Sequence, residues 1–235
     1  MIVTFVMSVL VSLDLGFARD RLMLMNVNPG KTYSGATGVK LYWRILARIE
    51  RLPGVSGATM ASGTFVGNRE SGPFSIDSDA GADASTVTAS GMEVGSRFFA
   101  TTGVLLVSGR DFTERDFTGT GPTPVIVSGS LARIFFTGVD PVGRHFKRGS
   151  RTSEIIGVAR DMQFESLREA TPFGVYMPFT GRLADEARPM IFHVRTALEP
   201  STLAPSLRAI VHELEPAARI TGLRTMDVFI DESLS

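Results

Sequence analysis

The chain has 235 residues, of which 43% are apolar and 20% charged, a composition typical of a globular protein with a substantial core. Its 24 basic and 24 acidic side chains cancel, so charge gives no argument for nucleic acid as a partner. The absence of cysteine excludes disulfides, cysteine-ligated zinc and a thiol nucleophile.

The N-terminal stretch from Met1 to Leu13 carries no charge. It is too short to span a bilayer, which needs about 20 apolar residues. A signal peptide would have a basic first region and a small-residue cleavage site, and neither is clear here. Two interpretations stay open: an apolar strand or helix packed on the core, or the outer end of a transmembrane helix whose beginning is missing.

A strand–helix–strand pattern follows. Apolar residues fill positions 22–27 and predict a strand, and the next apolar residues recur at helical spacing at Val39, Tyr42, Leu46 and Ile49. The chain then turns at Pro53-Gly54 and enters a second strand over residues 55–60. This is the first of two βαβ units.

The middle of the chain is rich in β signals. Residues 62–85 are dense in Gly, Ser, Asp and Ala and predict loop with one short strand near 74–76. Further strands are predicted at 86–94, 124–127, 154–158 and 174–177. Ser96 and Ser128 are placed to cap two short helices, the second of them over 131–136.

The second βαβ unit lies near the C-terminus. It begins with a strand at 190–194 and ends, after a turn at Glu215-Pro216, with a strand at 219–223. The helix between the two strands carries Leu203, Leu207, Ile210 and Leu214. Two such units form a four-stranded sheet with both helices on one face. The sequence therefore predicts an α+β fold in which the mainly β middle is an insertion.

Two loops resemble ligand-binding motifs without completing them. Gly30-Lys31-Thr32 lies between a strand and a helix, as a P-loop would. The motif requires an earlier glycine at the position that Met25 occupies, so a polar turn is favoured. Asp77, Asp79 and Asp83 resemble a calcium loop, but the spacing breaks and no bidentate glutamate follows, which favours a solvated acidic loop.

The remaining polar residues are explained by structural roles. His145, His193 and His212 are far apart and lack metal-ligand spacing. Ser128-Gly129-Ser130 has no histidine near it in the sequence and fits helix capping. Surface ion pairing is the expected role of the charged turn that comprises Arg110, Asp111, Glu114, Arg115 and Asp116. No catalytic, cofactor-binding or metal-binding residue is predicted.

Short motifs along the chain carry a family resemblance. They are Asp14-Leu15-Gly16-Phe17, residues 48–55, Gly109-Arg110-Asp111-Phe112-Thr113, residues 140–144, residues 155–161 and Thr225-Met226-Asp227. Together they resemble the MacB-like periplasmic core domain of bacterial ABC-transporter permeases of the MacB/FtsX type. The chain departs from the family pattern at Arg160, where a second glycine is usual, and at Ser128, where an asparagine is usual. The flanking transmembrane helices are also absent.

The resemblance implies a division of the chain. Residues 1–17 would be the juxtamembrane end of a truncated transmembrane helix, and residues 228–235 would lead into an absent second one. Residues 18–61 plus 188–227 would form a porter-like βαβ subdomain, and residues 62–187 an inserted β-rich subdomain.

The resemblance also implies a function: a non-catalytic periplasmic domain, anchored in the inner membrane, that relays ATP-driven motion to export or release of cargo. The implied partners are the permease transmembrane region, a second permease copy, a separate ATP-binding subunit and a periplasmic adaptor, with no cofactor. The alternative prediction is a free-standing soluble α+β ligand-binding protein or enzyme, supported by the loops at 30–38 and 77–83.

Overall fold

The computed structural model describes residues 15–30, 35–63, 70–76, 85–119, 121–148, 151–162, 174–180 and 188–233. Within these ranges the strands are β1 Leu22–Asn28, β2 Val55–Ala61, β3 Glu70–Ile76, β4 Ser85–Val94, β5 Leu106–Gly109, β6 Thr123–Ser128, β7 His145–Arg148, β8 Arg151–Ala159, β9 Gly174–Pro178, β10 Met190–Thr196 and β11 Arg219–Thr225. The α-helices are α1 Gly35–Ile49, α2 Phe98–Thr102, α3 Gly129–Phe135, α4 Ala204–Leu214 and α5 Met226–Ser233, and 3-10 turns occupy Glu114–Phe117 and Pro200–Leu203.

The strands near the two ends of the chain form one antiparallel sheet in the order β11–β1–β10–β2. This is a split βαβ arrangement, because the units β1–α1–β2 and β10–α4–β11 interleave. Helices α1 and α4 pack on one face, where Met25, Ile45, Phe192 and Leu207 are fully buried. The predicted α+β fold, with both helices on one face of this sheet, is confirmed.

Six strands of the middle segment form a closed ring. β4 pairs with β3 and β9, β9 with β6, β6 with β8, β8 with β7, and β7 with β3, which makes a ring of six strands. β5 adds to the outside of β8. Val127, Ile155 and Val175 form an apolar cluster with Leu131 and Phe136, so α3 packs against the ring.

The sheet and the ring are joined mainly by side-chain packing. Their one described backbone pairing places Ala61 opposite Val94. The shared core, which we call the central core, is aromatic: the ring centroids of Phe99 lie 5.4 Å from Phe98 and 5.2 Å from Tyr176, both in edge-to-face geometry. Edge-to-face pairs of this kind add about 0.5–1.5 kcal/mol each to the energy of burial.

Trp43 makes a separate contact between the two parts. It lies on α1, and its ring packs edge-to-face on Phe117 of the first 3-10 turn, with 5.3 Å between centroids. Phe117 also packs against the central core, with 6.1 Å between its ring centroid and that of Phe112. Trp43 therefore brings the helix layer of the sheet into contact with the border of the central core.

Local sequence predictions have mixed outcomes. Ser128 caps α3 as predicted, since its hydroxyl accepts a hydrogen bond from the amide of Leu131. The predicted cap at Ser96 is wrong: α2 begins at Phe98, and the residue before it, Arg97, has a left-handed backbone (φ +57°) and makes no side-chain cap. A side-chain cap needs an extended backbone at the capping residue. Arg160 is not among the described residues with positive φ, so replacing the usual glycine causes no strain there.

Among the described helices, none combines the length and the apolar character that a membrane span requires. Residues 1–14 lie outside the described part of the chain, as do 31–34, 77–84 and 234–235. The expected transmembrane end, the residues Lys31 and Thr32, and the acidic loop with Asp77, Asp79 and Asp83 therefore remain sequence-based expectations. The predicted domain boundaries also stay a prediction.

The shared core of α1 and α4 makes a stability prediction. Leu46 and Leu207 are 2% and 0% exposed, so replacing either with alanine should lower the free energy of unfolding by about 2–5 kcal/mol. Arg208→Ala, on the exposed side of α4, is the control and should change it by less than about 0.5 kcal/mol. Urea denaturation measures all three. If both leucine variants change the free energy of unfolding as little as Arg208→Ala does, the two units do not share a core.

Candidate functional site

The N-terminal segment, defined as residues 15–21, packs on the sheet face opposite α1 and α4. Phe17 is buried in the central core beside Leu24 of β1. The amide of Ala18 donates to the carbonyl of Thr102 at the end of α2, at 2.9 Å. The segment is therefore bound to the body of the domain through both apolar and backbone contacts.

Gly16 brings the same segment against the ring. Its backbone is left-handed (φ +78°), and a Cβ atom at this position would lie 2.5 Å from the carbonyl oxygen of Asp161, so only glycine fits. The Asp161 carboxylate accepts hydrogen bonds from the amide and hydroxyl of Ser130, at 2.8 and 2.9 Å, and from Arg133 at 2.6 Å. The segment thus contacts the ring where α3 is anchored to β8. Ser130 has the structural role that its sequence context predicted.

Arg195 of β10 binds three backbone carbonyl groups at once. Its Nε donates to Thr101 at 2.6 Å, one terminal nitrogen donates to Asp20 at 2.7 Å, and the other donates to Ala18 at 2.8 Å. We call these three acceptors the carbonyl cluster. Burial lowers the pKa of Arg195 and the charge of Asp20 opposes that shift; the guanidinium remains charged at neutral pH. This one side chain ties the N-terminal segment, α2 and the sheet together.

Helix α5 lies beside the N-terminal segment. Met226, Phe229 and Ile230 are buried in the central core, in the same cluster as Phe17. Arg19 of the segment and Asp227 in the first turn of α5 form an ion pair, with 3.6 Å between Nε and Oδ1. We call the N-terminal segment together with α5 the junction.

The outer surface of the junction is acidic. Partial burial raises the pKa of Asp227, Arg19 opposes this, and the negative charges of Asp20 and Asp231 raise the pKa further. Glu232 adds another carboxylate on the exposed side of α5 and pairs with Arg224. The Arg19–Asp227 pair is partly exposed, so solvent screens it and its contribution to stability is small.

His193 lies in the interior behind the junction. It is 1% exposed, and its ring packs edge-to-face on Phe98 with 6.0 Å between centroids. Burial lowers its pKa to about 4, and a contact between Nδ1 and the carbonyl of Ile191 partly offsets this. The other two histidines, His145 and His212, are exposed, so neither shares the buried environment of His193.

The charged turn that follows β5 forms the ion pair predicted for it. Arg110 binds the Asp116 carboxylate through both terminal nitrogens, at 2.7 and 3.1 Å. Asp116 also accepts bonds from the amide and hydroxyl of Thr113, which closes the turn. Hydrogen bonds from Arg110 and Thr113 offset burial and lower the pKa of Asp116, as a structural carboxylate requires. Asp111, Glu114 and Arg115 belong to the same turn.

The polar groups of the junction bind backbone carbonyls and one another. In the described residues, no group of His, Asp and Glu is arranged to hold a metal ion. The junction connects two segments to the sheet and the ring.

Neither Arg195 nor Arg19 was predicted from the sequence as a functional residue. Arg195 sits in a strand next to His193 and Val194, and an arginine in an otherwise apolar strand is a signal for a buried hydrogen-bonding role. Its acceptors could not have been predicted, because they are backbone atoms from two distant segments. Asp227 was named from the sequence only as the last residue of the family motif Thr225-Met226-Asp227.

Solved structures of two bacterial transporter regions have a fold similar to that of the chain. The periplasmic region of MacB from Actinobacillus actinomycetemcomitans has a similar fold, with a TM-score of 0.61 at 15% identity, over 92% of this chain and 94% of that one. The extracellular domain of the noncanonic ABC-type transporter YknZ from Gram-positive bacteria has a TM-score of 0.54 at 14% identity, over 85% of this chain and 100% of that one. At these identities the likeness shows the fold alone.

A family model gives the more particular assignment. The model described as the MacB-like periplasmic core domain matches residues 1–221, and the chain belongs to that family. The resemblance seen in the motifs is confirmed. No curated protein is significantly similar to the chain in sequence.

The carbonyl cluster makes a prediction for Arg195. Replacing Arg195 with lysine keeps the charge but removes the planar fork that reaches three acceptors, so the free energy of unfolding should fall by about 2–3 kcal/mol. Hydrogen exchange at the Ala18 amide should accelerate more than exchange in α4. Equal acceleration in both places would show that Arg195 does not specifically hold the N-terminal segment.

His193 makes a prediction for acid stability. The unfolded histidine has a pKa near 6.5 and the folded one about 4, so the unfolded state binds more protons between these values. Stability should therefore be lost as the pH falls from 6.5 to 4, by up to about 1.4 kcal/mol per pH unit from this group. Urea denaturation from pH 7 to 4 should show a shallower slope for His193→Leu than for the parent chain, while His212→Leu, on the exposed side of α4, should follow the parent. Parallel curves for all three would contradict the assignment.

Proposed function

We propose that this chain is the non-catalytic periplasmic domain of an ABC-transporter permease and that it relays ATP-driven motion to export or release of cargo. One observation carries the proposal: the N-terminal segment and α5 meet on one face of the domain and are tied to its sheet and its ring. The Arg19–Asp227 pair marks the meeting point.

The contacts of the junction differ greatly in strength. Arg195 makes three short charge-assisted hydrogen bonds, each worth about 1.5–3 kcal/mol. The Arg19–Asp227 pair is partly exposed, and such pairs contribute about 0–1 kcal/mol. Movement of the segment relative to α5 therefore breaks only a weak ion pair at the surface, but it must also shift Met226, Phe229 and Ile230 within the central core. Relative movement of the two segments is thus coupled to the central core, which is what a relay between two membrane helices needs.

The proposed partners follow from the family. They are a transmembrane region contiguous with the junction, a second permease copy, a separate ATP-binding subunit and a periplasmic adaptor, in the inner membrane and without nucleic acid. The family match supports this proposal over the alternative of a free-standing soluble ligand-binding protein or enzyme.

Cross-linking across the junction tests the relay. The chain has no cysteine, so Arg19→Cys with Asp227→Cys introduces a single reactive pair that a short bis-maleimide can join. In the transporter reassembled with its membrane helices and ATP-binding subunit, a spin label reports the distance between two copies. It is attached by oxime chemistry to a ketone-bearing amino acid that replaces the exposed Ile134, so that no third cysteine is needed. ATP should change that distance in the unlinked transporter, and the cross-link should abolish the change because the two segments can no longer move apart.

A second cross-link controls for nonspecific rigidity. Arg48 and Glu213 form an ion pair at 2.7 Å between α1 and α4, far from the junction. Joining Arg48→Cys to Glu213→Cys should leave the ATP-dependent change intact. The relay proposal fails if ATP causes no change in the unlinked transporter, or if both cross-links have the same effect.

A further inference from the structure

Asp161 lies just after β8 and contacts two different parts of the molecule. It follows the backbone hydrogen bond that the amide of Arg160 donates to the carbonyl of Leu105, at 2.8 Å. A Cβ atom at Gly16 would lie 2.5 Å from the Asp161 carbonyl oxygen and 3.2 Å from the Cα of Met162. The peptide group between Asp161 and Met162 therefore lies directly against the backbone of the N-terminal segment.

The side chain of Asp161 holds the first turn of α3. Its Oδ1 accepts hydrogen bonds from the amide and hydroxyl of Ser130, at 2.8 and 2.9 Å, and its Oδ2 accepts one from Arg133 at 2.6 Å. Amides in a first turn have no partner within the helix, and a carboxylate there also interacts favourably with the helix dipole. Helix α3 has only seven residues, and helices shorter than about 12 residues are marginal without outside contacts. Asp161 and the capping residue Ser128 therefore support α3 together.

The two sets of contacts depend on each other because they belong to one residue. A shift of the Asp161 backbone also moves its carboxylate. The three bonds to α3 are 2.6–2.9 Å long, and hydrogen bonds of this kind are lost beyond about 3.5 Å. A displacement of about 1 Å is therefore enough to release the first turn of α3. The segment that contacts this backbone is bound to the sheet in turn, through the bond from Arg195 to the Ala18 carbonyl.

We propose that Asp161 is a coupling residue. The N-terminal segment keeps the Asp161 backbone where its carboxylate can cap α3, so displacement of the segment at Gly16 loosens α3. Coupling of this kind is reciprocal, so loosening α3 makes the segment easier to displace by the same factor. This is a property of the domain itself. It identifies α3 as the element of the ring that responds to the junction, and it holds whether or not the domain serves as a relay.

Amide hydrogen exchange, followed by NMR in the full chain, tests the coupling. Gly16→Ala places a Cβ atom against the Asp161 carbonyl. Exchange of the α3 amides should accelerate about tenfold or more relative to exchange in α4, as expected for the loss of charge-assisted hydrogen bonds. Gly30→Ala is the matched control. Gly30 has the same left-handed backbone (φ +80°), but no described atom lies within 4 Å of a Cβ atom there, so α3 should exchange as in the parent chain.

A double-mutant cycle separates the coupling from general strain. Asp161→Ala removes the carboxylate and keeps the backbone, so it should loosen α3 by itself. Adding Gly16→Ala to this variant should then change α3 exchange by less than about twofold. By reciprocity, Asp161→Ala alone should accelerate exchange of the Ala18 amide, which donates to the Thr102 carbonyl. This last measurement decides the proposal even if Gly16→Ala does not fold.

Three outcomes would overturn the proposal. The first is α3 exchange in Gly16→Ala that matches exchange in Gly30→Ala. The second is a double variant in which the effects of Gly16→Ala and Asp161→Ala on α3 multiply as independent effects do. The third is an Ala18 amide whose exchange is unchanged by Asp161→Ala. These measurements need neither a membrane nor ATP, so the coupling can fail while the relay stands, and the cross-linking experiment can fail while the coupling stands.

Discussion

Arg195 donates hydrogen bonds to three backbone carbonyl groups, one of them at the C-terminal end of helix α2. Helix α2 spans only five residues, and the carbonyls at the C-terminal end of a helix lack partners within it. The carbonyl of Thr101 receives the Arg195 Nε, and that of Thr102 receives the Ala18 amide. Helix α2 is thus completed by the N-terminal segment and by β10. Each of these three elements supports the positions of the other two.

The central core depends on that arrangement. Helix α2 supplies Phe98 and Phe99, which contact Tyr176 of the ring and His193 of the sheet. Since the sheet and ring share only the Ala61–Val94 pairing among their described residues, these aromatic contacts set how the two parts sit against each other. Asp161 extends the connection, because its carbonyl meets Gly16 while its carboxylate binds Ser130 and Arg133 of α3. The junction and α3 are therefore linked through a single residue.

The sequence predictions succeeded where the interacting residues are close together in the chain and failed where they are far apart. Helix α1 was predictable because Tyr42, Leu46 and Ile49 repeat at helical spacing, and the cap at Ser128 because it involves residues three positions apart. The ring was not predictable, since β7 and its partner β3 have no pattern that fixes their pairing. Residues 228–233 of helix α5 were interpreted only as a lead into a membrane helix, although Phe229 and Ile230 are buried there. Arg195 escaped prediction because its partners are backbone atoms, which every residue type supplies.

Trp43 gives the molecule a built-in optical reporter. It is the one tryptophan of the chain, and it touches Phe117 where α1 meets the turn after β5. Indole emission shifts to longer wavelength when the ring gains contact with water. Any rearrangement that separates the helix layer from that turn will hydrate this side chain, so it will change the emission spectrum without an added label.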